Sequence, residues 1–177
     1  MSELSTVKLL ALDVDGVLTD ATIYIGSEGE MFKGFNAKDG MGISCALRSG
    51  IEVAIITGRR SEIVRRRAEE LGIKTVLEGV RDKKSALEQL MQSFNVLPAE
   101  VAYIGDDLND LPAFSVASVT FAPADAADEV RGVANIVLAH AGGRGAVREA
   151  IEMILQAQDK WQAIVASYLF CGQGDKQ

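Results

Sequence analysis

A run of apolar residues, Val7 and then Leu9, Leu10, Ala11 and Leu12, stops abruptly at two carboxylates, Asp13 and Asp15, with Gly16 behind them. The run reads as a buried strand. In an extended chain residues two apart point the same way, so both acids can face one small volume at the strand's C-terminal end. Gly16 lets the chain turn away there. Two carboxylates that close repel, and burying them is costly unless a cation lies between them; a hard divalent metal is the economical choice. With equal weight, one aspartate ends the strand and the other caps the turn, so the rest of the chain has to decide.

The apolar pattern recurs along the chain. Residues 51–56, 73–77, 101–104 and 118–122 read as further strands. Helical patterns separate them: Ile43, Ala46 and Leu47; then Val64, Ala68 and Leu71, opened by Ser61 and stopped by Gly72; then Ala86, Leu87, Leu90, Met91 and Phe94. Alternation of this kind predicts an α/β fold, a doubly wound, Rossmann-like parallel sheet. Residues 36–42 are polar and glycine-rich and read as a connection before the first helix.

A hairpin is expected over 22–35, with strands at 22–26 and 31–35 around Ser27, Glu28, Gly29 and Glu30. It carries Ile23 and Ile25 on one face, Tyr24 on the other, and Met31, Phe32 and Phe35 on its return. Apolar on both sides, it either folds onto its own domain or meets copies of itself in an oligomer. No cap domain fits between the strand-end motifs, so this hairpin stands in its place. Towards the C-terminus a helix over about 145–170 carries Val147, Ile151, Ile154, Trp161, Val165 and Tyr168 at three- and four-residue intervals, a packing stripe. Nothing splits the 177 residues, and one domain over 1–177 is expected.

Composition removes several classes of function. At 48% apolar and 24% charged the chain is an ordinary globular one, and its net charge of −7 argues against a nucleic-acid binder, which displays a basic face. An anionic substrate is still compatible, because a metal and a few lysines can reverse the field inside a pocket. Cys45 and Cys171 with one histidine build neither a disulfide framework nor an all-protein zinc site, which points to a reducing, cytoplasmic setting. Lys8 is the only basic residue before Asp13, so no secretory signal is read there. No segment approaches the roughly 18 uninterrupted apolar residues that span a bilayer.

Loops at the C-terminal ends of parallel strands are where open α/β sheets bind ligands. In this chain they carry Asp13 and Asp15; Thr57 and Gly58; Lys83; and Gly105, Asp106, Asp107 and Asp110. In this order the motifs resemble those of the haloacid dehalogenase superfamily, whose phosphatases carry Asp-x-Asp-Gly, a strand-ending Ser or Thr, a Lys and a Gly-Asp-x-x-x-Asp type motif. Within it the chain is similar to the small bacterial 3-deoxy-D-manno-octulosonate (KDO) 8-phosphate phosphatases. That similarity lies in Phe35-Asn36-Ala37-Lys38-Asp39-Gly40-Met41-Gly42, in Ile55-Ile56-Thr57-Gly58-Arg59, in Gly105-Asp106-Asp107-Leu108 and in Gly142-Gly143-Arg144-Gly145.

The resemblance implies a magnesium-dependent phosphatase of lipopolysaccharide sugar biosynthesis. Asp13 would be the nucleophile that forms an aspartyl-phosphate, and Asp15 the acid that protonates the leaving sugar oxygen and then activates water. Thr57 and the Gly58 amide would hold the phosphoryl group while Lys83 supplies fixed positive charge. Mg2+ would be held by Asp13, the Asp15 carbonyl and Asp106, with Asp107 and Asp110 around them. Lys84 competes with Lys83 by adjacency alone. Arg59, Lys38 and Arg144 are expected to read the sugar acid, and a homotetramer with central hairpins to complete the pocket. Two readings stand beside this one: a phosphatase of nonulosonate 9-phosphates, and a regulatory domain of the same fold without turnover.

Overall fold

The computed structural model describes residues 3–170. Strand β1 (Leu9–Leu12) is followed by a hairpin of β2 (Tyr24–Gly26) and β3 (Gly29–Phe32), then helix α1 (Ala37–Arg48) and β4 (Glu52–Thr57). Next come α2 (Glu62–Leu71), β5 (Thr75–Glu78), α3 (Lys83–Phe94), β6 (Val101–Ile104), α4 (Leu111–Phe114), β7 (Val119–Ala122) and α5 (Asp128–Val133). The chain closes with β8 (Ile136–Val137), α6 (Ala146–Ala157) and α7 (Trp161–Phe170).

The sheet runs β5-β4-β1-β6-β7-β8, every pair parallel. Strand β1 is buried throughout because both of its faces are covered. Leu10 and Leu12 pack into the larger core with Ile43, Val147, Ile151 and Ile154 of α1 and α6. Leu9 and Ala11 point the other way, into a core with Leu87, Leu90 and Phe114 of α3 and α4. The α/β doubly wound architecture expected from the sequence is the one observed. After β4 and β5 have been laid on one side of β1, the chain returns to place β6 on the other, and the crevice at such a reversal opens at the strands' C-terminal ends.

Three local expectations are corrected. The hairpin is tighter than expected: its return strand begins at Gly29, inside the expected turn, and ends at Phe32, because Gly26 pairs directly with Gly29. Residues 36–42 are not a connection: Asn36 caps α1 by accepting from the Lys38 amide, and the helix begins at Ala37. Gly40 and Gly42 lie within it, where a Cβ would meet the Arg67 guanidinium at 2.5 Å and Arg148 at 3.1 Å. The single helix expected over about 145–170 is α6 and α7, broken where Asp159 takes a positive φ of 56° and the Lys160 amide bonds back to the Leu155 carbonyl. Strand β8, two residues long, was not expected from the sequence. Cys171 lies outside the described residues.

The hairpin does not bury its apolar side chains against its own domain. Tyr24 stacks on Phe32, with ring centroids 4.1 Å apart, while Ile25 is 72% and Met31 62% exposed. Among the described residues no helix is long and apolar enough to cross a membrane.

Candidate active site

Asp13 follows the last residue of β1 and is still sheet-bonded, its amide donating to the Ile104 carbonyl of β6 at 3.1 Å. Its carboxylate is buried, with Oδ1 accepting from the Val14 amide and Oδ2 lying 2.7 Å from Lys83 Nζ. Lys83 opens α3, where the helix dipole disfavours a cation. Two carboxylates offset this: its 1% exposed side chain reaches Asp13 and Asp110, 2.7 Å from each. Lys84, the adjacent alternative, is exposed.

Asp110 organises the acidic loop after β6. Its Oδ1 accepts from Lys83 Nζ and the Tyr103 hydroxyl, and its Oδ2 from the amides of Asp106 and Asp107. Gly105 is required beside it, since a Cβ there would sit 2.4 Å from that of Asp110. Asp107 is exposed and caps the short turn over Leu108–Asp110 through the Leu108 amide.

Asp106 has a different status. Its Oδ1 is buried with no hydrogen-bond partner among the described residues, and its carboxyl is packed so tightly against Gly16 that a Cβ on that glycine would lie 1.9 Å from Oδ2. Burial, then the charges of Asp13, Asp110 and Asp107, push the Asp106 pKa up to about 8. Burial and Asp110 push that of Asp13 up to about 6 against the opposing pull of Lys83. A buried, partnerless carboxylate oxygen in an overcrowded acidic cluster is what a divalent cation relieves. Oxygens of Asp13, Asp106 and Asp110 all lie within 4.8 Å of one another. The residues therefore fit a metal, and because Asp110 is saturated by four donors, Asp13 and Asp106 are the side chains with capacity to hold one.

Asp15 does not share that group of close oxygens with Asp13, as their two-residue spacing had allowed, and has cationic partners of its own. Its Oδ1 is 2.5 Å from Lys33 Nζ and its Oδ2 3.4 Å from Arg59 Nε. Thr57, the buried last residue of β4, accepts from the Arg59 amide, and Gly58 beside it is exposed. The structure thus gathers Asp13, Lys83, Asp106 and Asp110 into one contact cluster and joins Asp15 to Arg59. Lys38 stands exposed on the first turn of α1, and Arg144 pairs at the surface with Asp20; neither touches this cluster. Sequence reasoning missed Lys33 and Tyr103. For Lys33 the signal was a lone cation in the apolar return of the hairpin; for Tyr103, a polar tip in an otherwise aliphatic strand.

Residues 42–118 match the family model of the haloacid dehalogenase-like hydrolases. The chain is 46% identical over 160 residues to the 3-deoxy-D-manno-octulosonate 8-phosphate phosphatase KdsC of Escherichia coli, covering 90% of this chain and 85% of that protein. The phosphatase of that name from Moraxella catarrhalis, whose crystal structure holds magnesium, phosphate and KDO, superposes with a TM-score of 0.91 at 42% identity over 94% of this chain and 95% of that one. The cobalt-bound phosphatase of Haemophilus influenzae gives the same score and identity over 94% and 99%. The chain belongs to the haloacid dehalogenase-like hydrolases. As an enzyme it falls among the phosphoric monoester hydrolases, and its similarity is to the KDO 8-phosphate phosphatases.

Proposed function

We propose that this protein hydrolyses 3-deoxy-D-manno-octulosonate 8-phosphate to KDO and inorganic phosphate in the cytoplasm, through an aspartyl-phosphate on Asp13. The observation that carries the reading is the buried Asp13 carboxylate, bonded by Lys83 at one oxygen and set beside the partnerless oxygen of Asp106. Mg2+ would be held by Asp13, Asp106 and the Asp15 carbonyl, and would supply positive charge that polarises the phosphoryl oxygens.

The chain's own residues account for the rest. Asp13 forms a bond to phosphorus as the bond to the sugar oxygen breaks, and Asp15 gives that oxygen its proton. A water then attacks the same phosphorus, Asp15 takes the water's proton, and the carboxylate of Asp13 is released. Lys83, held by Asp110, keeps a positive charge fixed where negative charge accumulates. Thr57 and the Gly58 amide stand at the end of β4 to receive phosphoryl oxygens. The relatives' names support the eight-carbon sugar acid, with Arg59, Lys38 and Arg144 as its recognition groups. The exposed apolar hairpin supports a homotetramer in which a neighbour brings such groups closer.

Phosphate release is measured from eight- and nine-carbon sugar-acid phosphates with Mg2+, with chelator, and with Asp13→Asn. Release that prefers the eight-carbon substrate and vanishes with chelator and in Asp13→Asn is expected. Release undiminished in Asp13→Asn would overturn the mechanism, and preference for the nine-carbon acid would overturn the substrate.

A further inference from the structure

Lys33 is a buried cation that the mechanism above leaves unused. It follows β3 at the base of the hairpin, and its side chain is only 2% exposed. Its ammonium lies 2.5 Å from Asp15 Oδ1 and 3.0 Å from Glu30 Oε1. Burial alone would push its pKa down, yet the hydrogen bonds and charges of Asp15 and Glu30 raise it, so it stays a cation. Glu30 in turn accepts from the Ser61 hydroxyl, and the Ser61 amide donates to Glu78 at 2.7 Å. Ser61 is the cap of α2, directly after the loop bearing Thr57 and Arg59. The ammonium therefore lies between an anchored hairpin carboxylate and the catalytic one.

We propose that Lys33 is a positioning residue that fixes which oxygen of Asp15 carries the transferred proton. The inference rests on the phosphatase reading. An ammonium only donates, so while it bonds Oδ1 that oxygen acts as acceptor, and the proton given to the leaving group sits on Oδ2. On the Oδ2 side the partner is Arg59, whose side chain is 55% exposed and can move aside for substrate. In the first step the proton leaves Oδ2 for the sugar oxygen as the phosphorus–oxygen bond breaks and Asp13 bonds to phosphorus. In the second step the attacking water returns a proton to Oδ2. With Lys33 removed, the proton can equally sit on the oxygen turned away from the leaving group, where it cannot be transferred.

Leaving-group chemistry tests this. A sugar alkoxide needs a proton to depart, whereas p-nitrophenolate departs without one, so a defect acting through Asp15 separates the two. Single-turnover release of the leaving group reads the first step alone, with KDO 8-phosphate and p-nitrophenyl phosphate as substrates. Lys33→Met and Lys33→Gln are each expected to slow KDO release about 100-fold, and p-nitrophenolate release less than about 5-fold. Lys33→Arg should recover most of the KDO rate. Glu30→Gln loosens the hairpin's anchor but leaves the Lys33–Asp15 contact, and should keep the wild-type ratio of the two rates. If one Lys33 variant does not fold, as judged by circular dichroism, the other carries the test. Equal slowing of both substrates, or a Glu30→Gln ratio matching that of Lys33→Met, overturns the inference while leaving the phosphatase reading intact. Absence of wild-type turnover on both substrates overturns the two together.

Discussion

Asp110 has no lone pair to spare, and this sets its role. Four donors from three directions occupy its oxygens, so it acts by holding Lys83 and the turn that carries Asp106. Removing its charge leaves a buried ammonium short of one partner. Because Asp13 still pairs the ammonium, Asp110→Asn is expected to lower stability by about 1–3 kcal/mol, read from urea unfolding, and to lower the rate of phosphate release. Asp13 and Asp106, raised to about 6 and about 8, predict a pH signature for the metal-free protein. Both groups are more protonated folded than unfolded between their ordinary values and these, so stability falls as pH rises from about 4 to about 8. Because a protonated carboxyl cannot ligate, Mg2+ affinity should strengthen over the upper part of that window, with proton release on binding. Thermal denaturation should show a larger Mg2+-induced rise in Tm at pH 8 than at pH 6, and calorimetry in two buffers of different protonation enthalpy counts the protons.

The elements are joined by caps as much as by apolar faces. Asp39 on α1 is buried, and its carboxylate accepts from the Gly145 and Arg148 amides at 3.2 and 2.8 Å, closing the N-terminus of α6 from a neighbouring helix. Asp39→Ala should lower stability by about 1–2 kcal/mol, measured by denaturant unfolding. This long-range cap was illegible in the sequence, where Asp39 sits in a glycine-rich stretch. Glycine is a weak helix former, so Gly40 and Gly42 hid the helix that holds Asp39. Strands β1, β4, β6 and β7 were legible for the opposite reason: burial on both faces leaves continuous apolar runs such as Leu9–Leu12 and Val101–Ile104. The break at Asp159 was hidden because apolar residues recur through both α6 and α7, and an aspartate with positive φ makes the turn that a glycine would have signalled.

At the scale of the molecule, the site was legible because a parallel sheet delivers every strand's C-terminal end to one edge, so motif order alone brings Asp13, Lys83 and Asp106 together. The surroundings of Asp15 were not, because Lys33 and Glu30 reach it by the folding of the hairpin. The exposed Ile25, Met31 and Phe32 carry a prediction at this scale. Ile25→Asp should convert the proposed tetramer to smaller species in sedimentation velocity and lower kcat/KM. Trp161, the single tryptophan, lies where α7 begins, its ring 5.0 Å from the Arg148 guanidinium carbon. The molecule thereby carries one indole, seated on the joint between its last two helices, and red-edge excitation that passes over the tyrosines makes its emission a reporter of the undocking of α7.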